Sequence, residues 1–393
     1  MKKVIGLMSS IGFGGAEVQS ILLFNGLCQN GFTVKVIVLD HKRVQLADRL
    51  DKSIEVVYVN RKVYFDPAAF LQVKKNITEN NPDFLIMVDS YPILYGIILN
   101  KIFKLKHKNL IIIHNTIPPN LKCAAQNRLI YGPSINRLDQ VVFVCNSQMK
   151  YWTDKYNIQV KKAAVILNGI DVEHYAQFSR QNDKYKCRDQ LGIPADALVI
   201  AMNASLWPAK SHEHMLEALE LLRKEGMDLF LLIIGDGPRR KNLEELSAQK
   251  GISGHVMFTG YVQDVRPYLM SADISMLTST AVETLSMAAI ESMAMGKALI
   301  LSDIGGAPEI VDCGLNGYLY SPGNIKELAA SIKKIFKNGR YLRMGEKARE
   351  KARRLFTHER MIWEYVRLLN ENEQDSADSF LEIINNTKDK AIN

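Results

Sequence analysis

The sequence offers little to a disulfide or zinc framework. Its five cysteines, Cys28, Cys123, Cys145, Cys187 and Cys313, are odd in number and no two form a C-x-x-C pair. That excludes a cystine scaffold and a zinc knuckle and leaves reduced thiols, as in a cytoplasmic protein, as the expectation. Long apolar runs are also missing. No stretch of 18 apolar residues occurs, and the nearest approach, residues 84–99, is broken by Asp89 and Pro92. An integral membrane protein is therefore not expected. The apolar run 4–8 behind Met1-Lys2-Lys3 is too short for a signal peptide and leads straight into glycines, as a first buried strand would. The basic residues lack interleaved aromatic platforms, which argues against nucleic-acid binding.

The 393 residues suit two domains, and 47% apolar with 23% charged residues suits a globular chain. Net charge is +8, unevenly spread: residues 1–170 hold 22 Lys and Arg against 11 Asp and Glu, while the rest is slightly acidic. The basic half reads either as a solvated face or as a surface that meets something anionic, such as lipid headgroups or a phosphate-bearing acceptor.

Short apolar runs at 4–8, 34–39, 84–88, 110–114 and 141–145 alternate with segments of helical length. This pattern predicts a parallel sheet with helices on both faces. A loop-like stretch over 168–194 follows. The pattern then restarts with runs at 198–202, 229–234, 256–258, 274–277 and 298–301. Two α/β domains are thus expected, one over 1–175 and one over 190–355. Helical periodicity continues over 325–370, ahead of a polar tail.

The first strand leads into Gly12-Phe13-Gly14-Gly15-Ala16-Glu17. Glycines there allow a sharp turn and close approach of a ligand, with the next helix aiming its amides at an anion. A dinucleotide fingerprint would need a third glycine where Glu17 stands. Asp40 ends the second strand, so an NAD-dependent dehydrogenase remains available as a weaker reading.

The second half carries four further features. Lys210 follows a strand within Leu206-Trp207-Pro208-Ala209-Lys210, where it reads either as a surface lysine or as a phosphate ligand. Gly235-Asp236-Gly237-Pro238 and Gly260-Tyr261 each follow a strand, where ligands of such sheets bind. Glu283 and Glu291 stand eight apart. If Thr284 or Leu285 opens a helix, Glu283 lies at its mouth and Glu291 two turns inside. On spacing alone this is a charged helix face. The small and apolar neighbours Ala288, Ala289, Ile290, Met293 and Ala294 instead imply that Glu291 is buried, and a buried carboxylate needs a partner.

In order and spacing, these motifs resemble the retaining glycosyltransferases of group 1, family 4. The resemblance rests on Gly14-Gly15-Ala16-Glu17, His114-Asn115, Asn168-Gly169-Ile170-Asp171, Lys210, Gly235-Asp236-Gly237-Pro238, Glu283-x7-Glu291, and Gly305-Gly306-x-Pro308-Glu309 with Asn316-Gly317. It implies the GT-B fold: two Rossmann-like α/β domains facing across a cleft, with a C-terminal helix, about 356–385, crossing back to the N-terminal domain. It also implies roles. Glu283, His114 and Lys210 would be catalytic, with Glu283 on the donor sugar's hydroxyls and His114 near the transferred sugar. Lys210 would neutralise the diphosphate, assisted by Thr284 and the amides of Leu285 and Ser286. Glu291 would hold the ribose, Tyr261 or Val262 would offer backbone to the base, and Gly14 and Gly15 would approach from the N-terminal domain. The sequence departs from the family in one respect: no arginine stands between Arg188 and Lys210, so Arg239 or Arg240 is expected to substitute.

Implied, then, is transfer of a sugar from a UDP- or GDP-linked donor to a saccharide or polyprenyl-diphosphate-linked acceptor with retention of configuration, in surface polysaccharide assembly. No metal or other cofactor is expected, since no Asp-x-Asp triplet occurs. A nucleotide-sugar 2-epimerase is an alternative on the same scaffold. The segment 97–108, apolar residues mixed with four lysines, is expected to be able to dock on an anionic membrane, which would make a cytoplasmic enzyme peripheral on the inner face.

Overall fold

The computed structural model describes residues 1–370 apart from 13, 60, 64–65, 104, 117–120, 160–162 and 282. The chain forms two compact units. Met1–Gly169 and the closing helix His358–Asn370 make the first, and Ile170–Thr357 makes the second.

In the first unit seven parallel strands stand in the order β3-β2-β1-β4-β5-β6-β7. They are β1 (Lys3–Met8), β2 (Thr33–Val38), β3 (Glu55–Tyr58), β4 (Phe84–Val88), β5 (Lys108–Ile113), β6 (Gln140–Phe143) and β7 (Ala163–Val165). The five expected runs are all strands. The two additional ones are sheet edges, β3 only half-buried and β7 three residues long, so neither carries a continuous apolar signal. Successive side chains alternate between two cores. Val4, Val36, Ile86 and Ile112 enter one and Ile5, Ile37, Leu85 and Ile111 the other. The helix Gly15–Gln29 covers the first core, and the closing helix adds Met361, Ile362, Tyr365 and Leu369 to it. The expected extension of that helix over 371–385 lies outside the described residues.

The second unit has six parallel strands in the order β10-β9-β8-β11-β12-β13. They are β8 (Leu198–Asn203), β9 (Leu229–Ile234), β10 (Val256–Phe258), β11 (Ile274–Leu277), β12 (Ala298–Ser302) and β13 (Gly317–Tyr320). The expected loop over 168–194 is instead mostly two helices, Val172–Gln181 and Lys184–Leu191. Asp171 and Asp183 cap them by accepting backbone N–H bonds, and Gly192 closes the second in a left-handed turn. Their polar outer faces hid them. Both belong to the second unit, so the seam falls at Gly169–Ile170 rather than in 175–190.

Both sheets reverse strand order at one point, β1 beside β4 and β8 beside β11. Loops leaving neighbouring strands there diverge to opposite faces and open a crevice at the strand C-termini, where ligands of such sheets bind.

Candidate active site

In the second unit the crevice between β8 and β11 gathers the expected residues. Lys210 ends a short 3-10 turn, Pro208–Lys210, after β8, and its Nζ lies 2.6 Å from Glu283 Oε2. The same oxygen accepts a 3.0 Å bond from Ser279 Oγ, after β11. Ser279, Glu283, Ser286, Ser302 and Ala307 line a recess. Its walls are bolted together: Thr278 Oγ1 donates to the carbonyls of Lys210 (3.0 Å) and Ser211 (2.9 Å), and Ser302 Oγ to the carbonyl of Ser279 (2.6 Å). Ser211 holds a left-handed backbone, φ 47°, uncommon for a non-glycine residue. Its hydroxyl is 2.6 Å from that of Thr280, a contact that pins the turn carrying Lys210.

Glu291 lies deeper. Asn203, the last residue of β8, donates to its Oε2 at 3.1 Å, and the Tyr175 hydroxyl donates to it as well. Burial pushes the Glu291 carboxyl up to about 7 despite these two donors. The carboxylate is half-buried rather than buried, and it has the partners that the sequence reading called for.

The helix geometry differs from expectation. The helix opens at Met287, with Ser286 as its N-cap accepting from the amide of Ala289 at 3.3 Å. Thr284 and Leu285 lie before it, and Glu291 is about one turn inside rather than two. The cause is Gly306, whose N–H takes the Thr284 carbonyl (2.6 Å) that an earlier helix start would have used. Gly305, at φ +55°, runs against this segment so closely that a Cβ would sit 2.0 Å from the Glu283 carbonyl oxygen. The Gly305-Gly306 pair thus serves to hold the Glu283 loop.

Gly235 likewise permits a close approach. Its φ is +135°, and a Cβ on it would lie 2.3 Å from the Ala204 carbonyl oxygen. Its loop also bonds the 204–206 loop, through Leu206 N to Asp236 O (2.9 Å) and Arg239 N to Leu206 O (3.1 Å). This places Arg239 beside Leu206. The charges of Arg239 and Lys210 both reach His212, whose imidazole is depressed to about 4, first by burial and then by these cations. Arg239 has a loose 3.8 Å pairing with Glu213. Arg240 is engaged elsewhere, with Glu244 (2.8 Å) and the Phe258 carbonyl (3.3 Å). Tyr261 is exposed and Val262 half-buried, both just after the Gly260 turn that pairs with Gly235.

In the first unit three titratable side chains gather at the corresponding crevice: Glu17 after β1, Asp89 after β4 and His114 after β5, all half-buried. Asp89 Oδ1 accepts from the His114 amide at 3.1 Å, and Ser10 Oγ donates to Glu17 Oε1 at 3.1 Å. Burial raises the Asp89 carboxyl and lowers the His114 imidazole, the latter opposed by the charges of Asp89 and Glu17. Gly14 caps the helix that begins at Gly15, yet a Cβ on Gly14 would lie 2.2 Å from Glu17 Oε2. A carboxylate therefore overlies the glycine turn, and a phosphate approaching those amides meets a like charge.

The model of the family described as "Glycosyl transferases group 1" matches residues 183–353, and that of "Glycosyltransferase Family 4" matches residues 13–174. The chain belongs to the group 1, family 4 glycosyltransferases. An uncharacterized glycosyltransferase of Haemophilus influenzae is 24% identical over 89% of this chain and 95% of its own length. The lipopolysaccharide 1,2-N-acetylglucosaminetransferase of Salmonella typhimurium is 25% identical over 61% of this chain and 67% of its own. Among solved structures, Anabaena HepE in complex with UDP superposes with a TM-score of 0.81 at 21% identity, covering 94% of this chain and 99% of that one. The glycosyltransferase thus has the GT-B fold. These relatives lend no support to the dehydrogenase and epimerase alternatives.

Sequence reasoning missed Asn203, Tyr175, Thr278, Ser279 and Asp89. Asn203, Tyr175 and Thr278 act on residues 67 to 116 positions away in sequence, a proximity created only by the parallel crossovers, whereas Ser279 stands four residues from Glu283 in the same loop. Asp89 did carry a signal: a charged residue ending an apolar strand at the point where strand order reverses.

Proposed function

We propose that this glycosyltransferase takes a sugar from a UDP- or GDP-linked donor and passes it, with retention of anomeric configuration and without a divalent cation, to a saccharide or lipid-linked saccharide in surface-polysaccharide assembly. The observation that carries the reading is the pairing of Lys210 with Glu283 at the mouth of a recess, with the half-buried Glu291 held by Asn203 and Tyr175 in the same unit. A cation near a developing phosphate charge and a carboxylate ready for ribose hydroxyls are what a nucleoside diphosphate requires. Support comes from Anabaena HepE, solved with UDP-glucose, and from the lipopolysaccharide activities named for relatives.

As the glycosidic bond breaks, charge grows on the leaving phosphate. Lys210, Arg239 and the amides around Ser286 stabilise it, an effect of roughly several kcal/mol in a dry site. Retention follows if the acceptor attacks from the face the diphosphate leaves, with the phosphate taking the acceptor's proton. The missing Asp-x-Asp triplet supports metal independence.

A thermal-shift screen of UDP-, GDP- and ADP-sugars beside NAD(H), without added metal, tests the donor class. One sugar nucleotide should raise the melting temperature by mass action. A shift with NAD(H) alone would reject the reading. Lys210→Ala should weaken binding of that nucleotide about tenfold or more, since a charge-assisted contact contributes roughly 1.5–3 kcal/mol. Unchanged affinity would transfer the phosphate role to Arg239.

The elevated Glu291 carboxyl predicts a pH dependence with a definite sign. Ribose hydroxyls bind the ionised form best, so binding lowers the carboxyl below its free value of about 7 and releases a proton. Donor affinity should therefore rise from pH 6 to pH 8, approaching about tenfold per pH unit at the acid end. Glu291→Gln should weaken binding and flatten the profile. A wild-type profile already flat over that range would remove Glu291 from the ribose.

A further inference from the structure

Residues 90–138 contain seven lysines and arginines and not one aspartate or glutamate. The flanking acids are engaged by protein donors, Asp89 by the His114 amide and Asp139, itself exposed, by the amide and side chain of Asn109. Every basic side chain of the stretch that the structure describes is exposed: Lys101, Lys106, Lys108, Arg128 and Arg137. The expected docking segment 97–108 brings one exposed apolar side chain to this surface, Ile102 at 59%. It begins in the helix Ser90–Phe103, whose Leu99 is buried with Ile97, Ile98 and Phe103 partly so.

The larger apolar part lies on the run 121–135, which is α-helical over Leu121–Gln126, widens to a π-turn over Asn127–Tyr131 and returns to α over Gly132–Ile135. Its inner side buries Asn127, Tyr131 and Ile135, four apart. Its outer side leaves Leu121 at 89%, Leu129 at 75% and Ile130 at 42% exposure, with Ala125 and Arg128 also exposed. In a regular α-helix eight residues carry a side chain about 80° past its start. The wider π-turn takes up much of that angle, so Leu129 falls back toward the line of Leu121 and Ala125. One helix face thus becomes an apolar ridge on a stretch of chain that carries basic residues and no acidic one.

We propose that this ridge docks on an anionic lipid bilayer, Leu121 and Leu129 entering below the headgroups while Arg128 and the neighbouring lysines meet the phosphates. Separated leucines projecting from a basic field suit a fluid interface, where apolar area and cationic charge add. The inference does not depend on which sugar nucleotide the second unit binds.

Flotation with phosphatidylcholine vesicles, with and without phosphatidylglycerol, tests it on the full chain. The protein should float only with phosphatidylglycerol vesicles, and less as salt is raised. The double variant Leu121→Gln, Leu129→Gln should partition at least ~tenfold more weakly, two leucines having left the lipid. Both side chains face solvent, so its melting temperature and its shift with UDP-glucose should match those of the unaltered chain. That readout separates this inference from the donor reading. Equal flotation of the double variant would overturn the proposal. So would absence of wild-type flotation on either vesicle, or retention on an acidic polypeptide resin by a chain that ignores vesicles.

Discussion

Glu283→Ala should lower kcat about a thousandfold while leaving the fold and nucleotide binding in place, the size of loss seen when a preorganised charge at a reacting centre is removed. The split follows from what each oxygen does. Oε2 accepts from Lys210 and Ser279, so it orients the ammonium proposed to face the diphosphate. Among the described residues Oε1 has no protein partner and is open to a donor sugar hydroxyl. Alanine removes both functions. It also removes a negative charge from beside the diphosphate and frees the Lys210 ammonium, so UDP or GDP should bind as tightly as before, or more so. Glu283→Gln should fall between, since the amide keeps the shape but not the charge. Initial rates with the donor from the thermal screen, beside calorimetric nucleotide affinity, measure the two arms. Turnover within a few-fold of the unaltered enzyme would take Glu283 out of the mechanism. Loss of kcat together with nucleotide affinity would make it a structural support of the recess.

What could be read in advance, and what could not, follows from how each signal arises. Central parallel strands are buried on both faces, so β1, β4 and β9 print as apolar runs. Edge strands have one covered side, and β3, at Glu55–Tyr58, shows no such run. The helices over 172–191 were invisible for the opposite reason. Their stability comes from aspartate caps and a few anchors such as Cys187 and Arg188 on otherwise polar sequence. Among site residues, Glu291 declared its partly covered setting through its small neighbours, whereas Asn203 and Tyr175 carried nothing local to mark them as its partners. The true start of the helix at Met287 depended on Gly306, some twenty residues on, taking the Thr284 carbonyl.

The largest stability effect should come from Arg188, on a helix that sequence patterning read as loop. Arg188→Ala is expected to destabilise the second unit by about 3–5 kcal/mol, the range for breaking one side of a buried ion pair. For a unit of this size that lowers the melting temperature on the order of 10 °C. The guanidinium is 3% exposed and fully used: Nε donates to the Ser271 carbonyl (2.8 Å), Nη1 to those of Ala195 (2.5 Å) and Ala197 (3.0 Å), and Nη2 to Asp273 Oδ2 (2.9 Å). Asp273, itself 2% exposed, also accepts from the Val199 amide and from Lys184. Alanine would leave three carbonyls short of a donor and a buried carboxylate with Lys184 as its one remaining direct ion-pair partner among the described residues, each a desolvation cost without compensation. Arg188→Met refills the volume but not the bonds, so it should recover only part of the loss. The exposed pair Arg353–Glu173 supplies the contrast at 42% and 60% side-chain exposure, and breaking it should cost less than about 1 kcal/mol. Calorimetry of both variants decides the matter. An Arg188→Ala transition within about a degree of the unaltered chain would mean that water and Lys184 replace the guanidinium, and that packing alone holds this helix to the sheet.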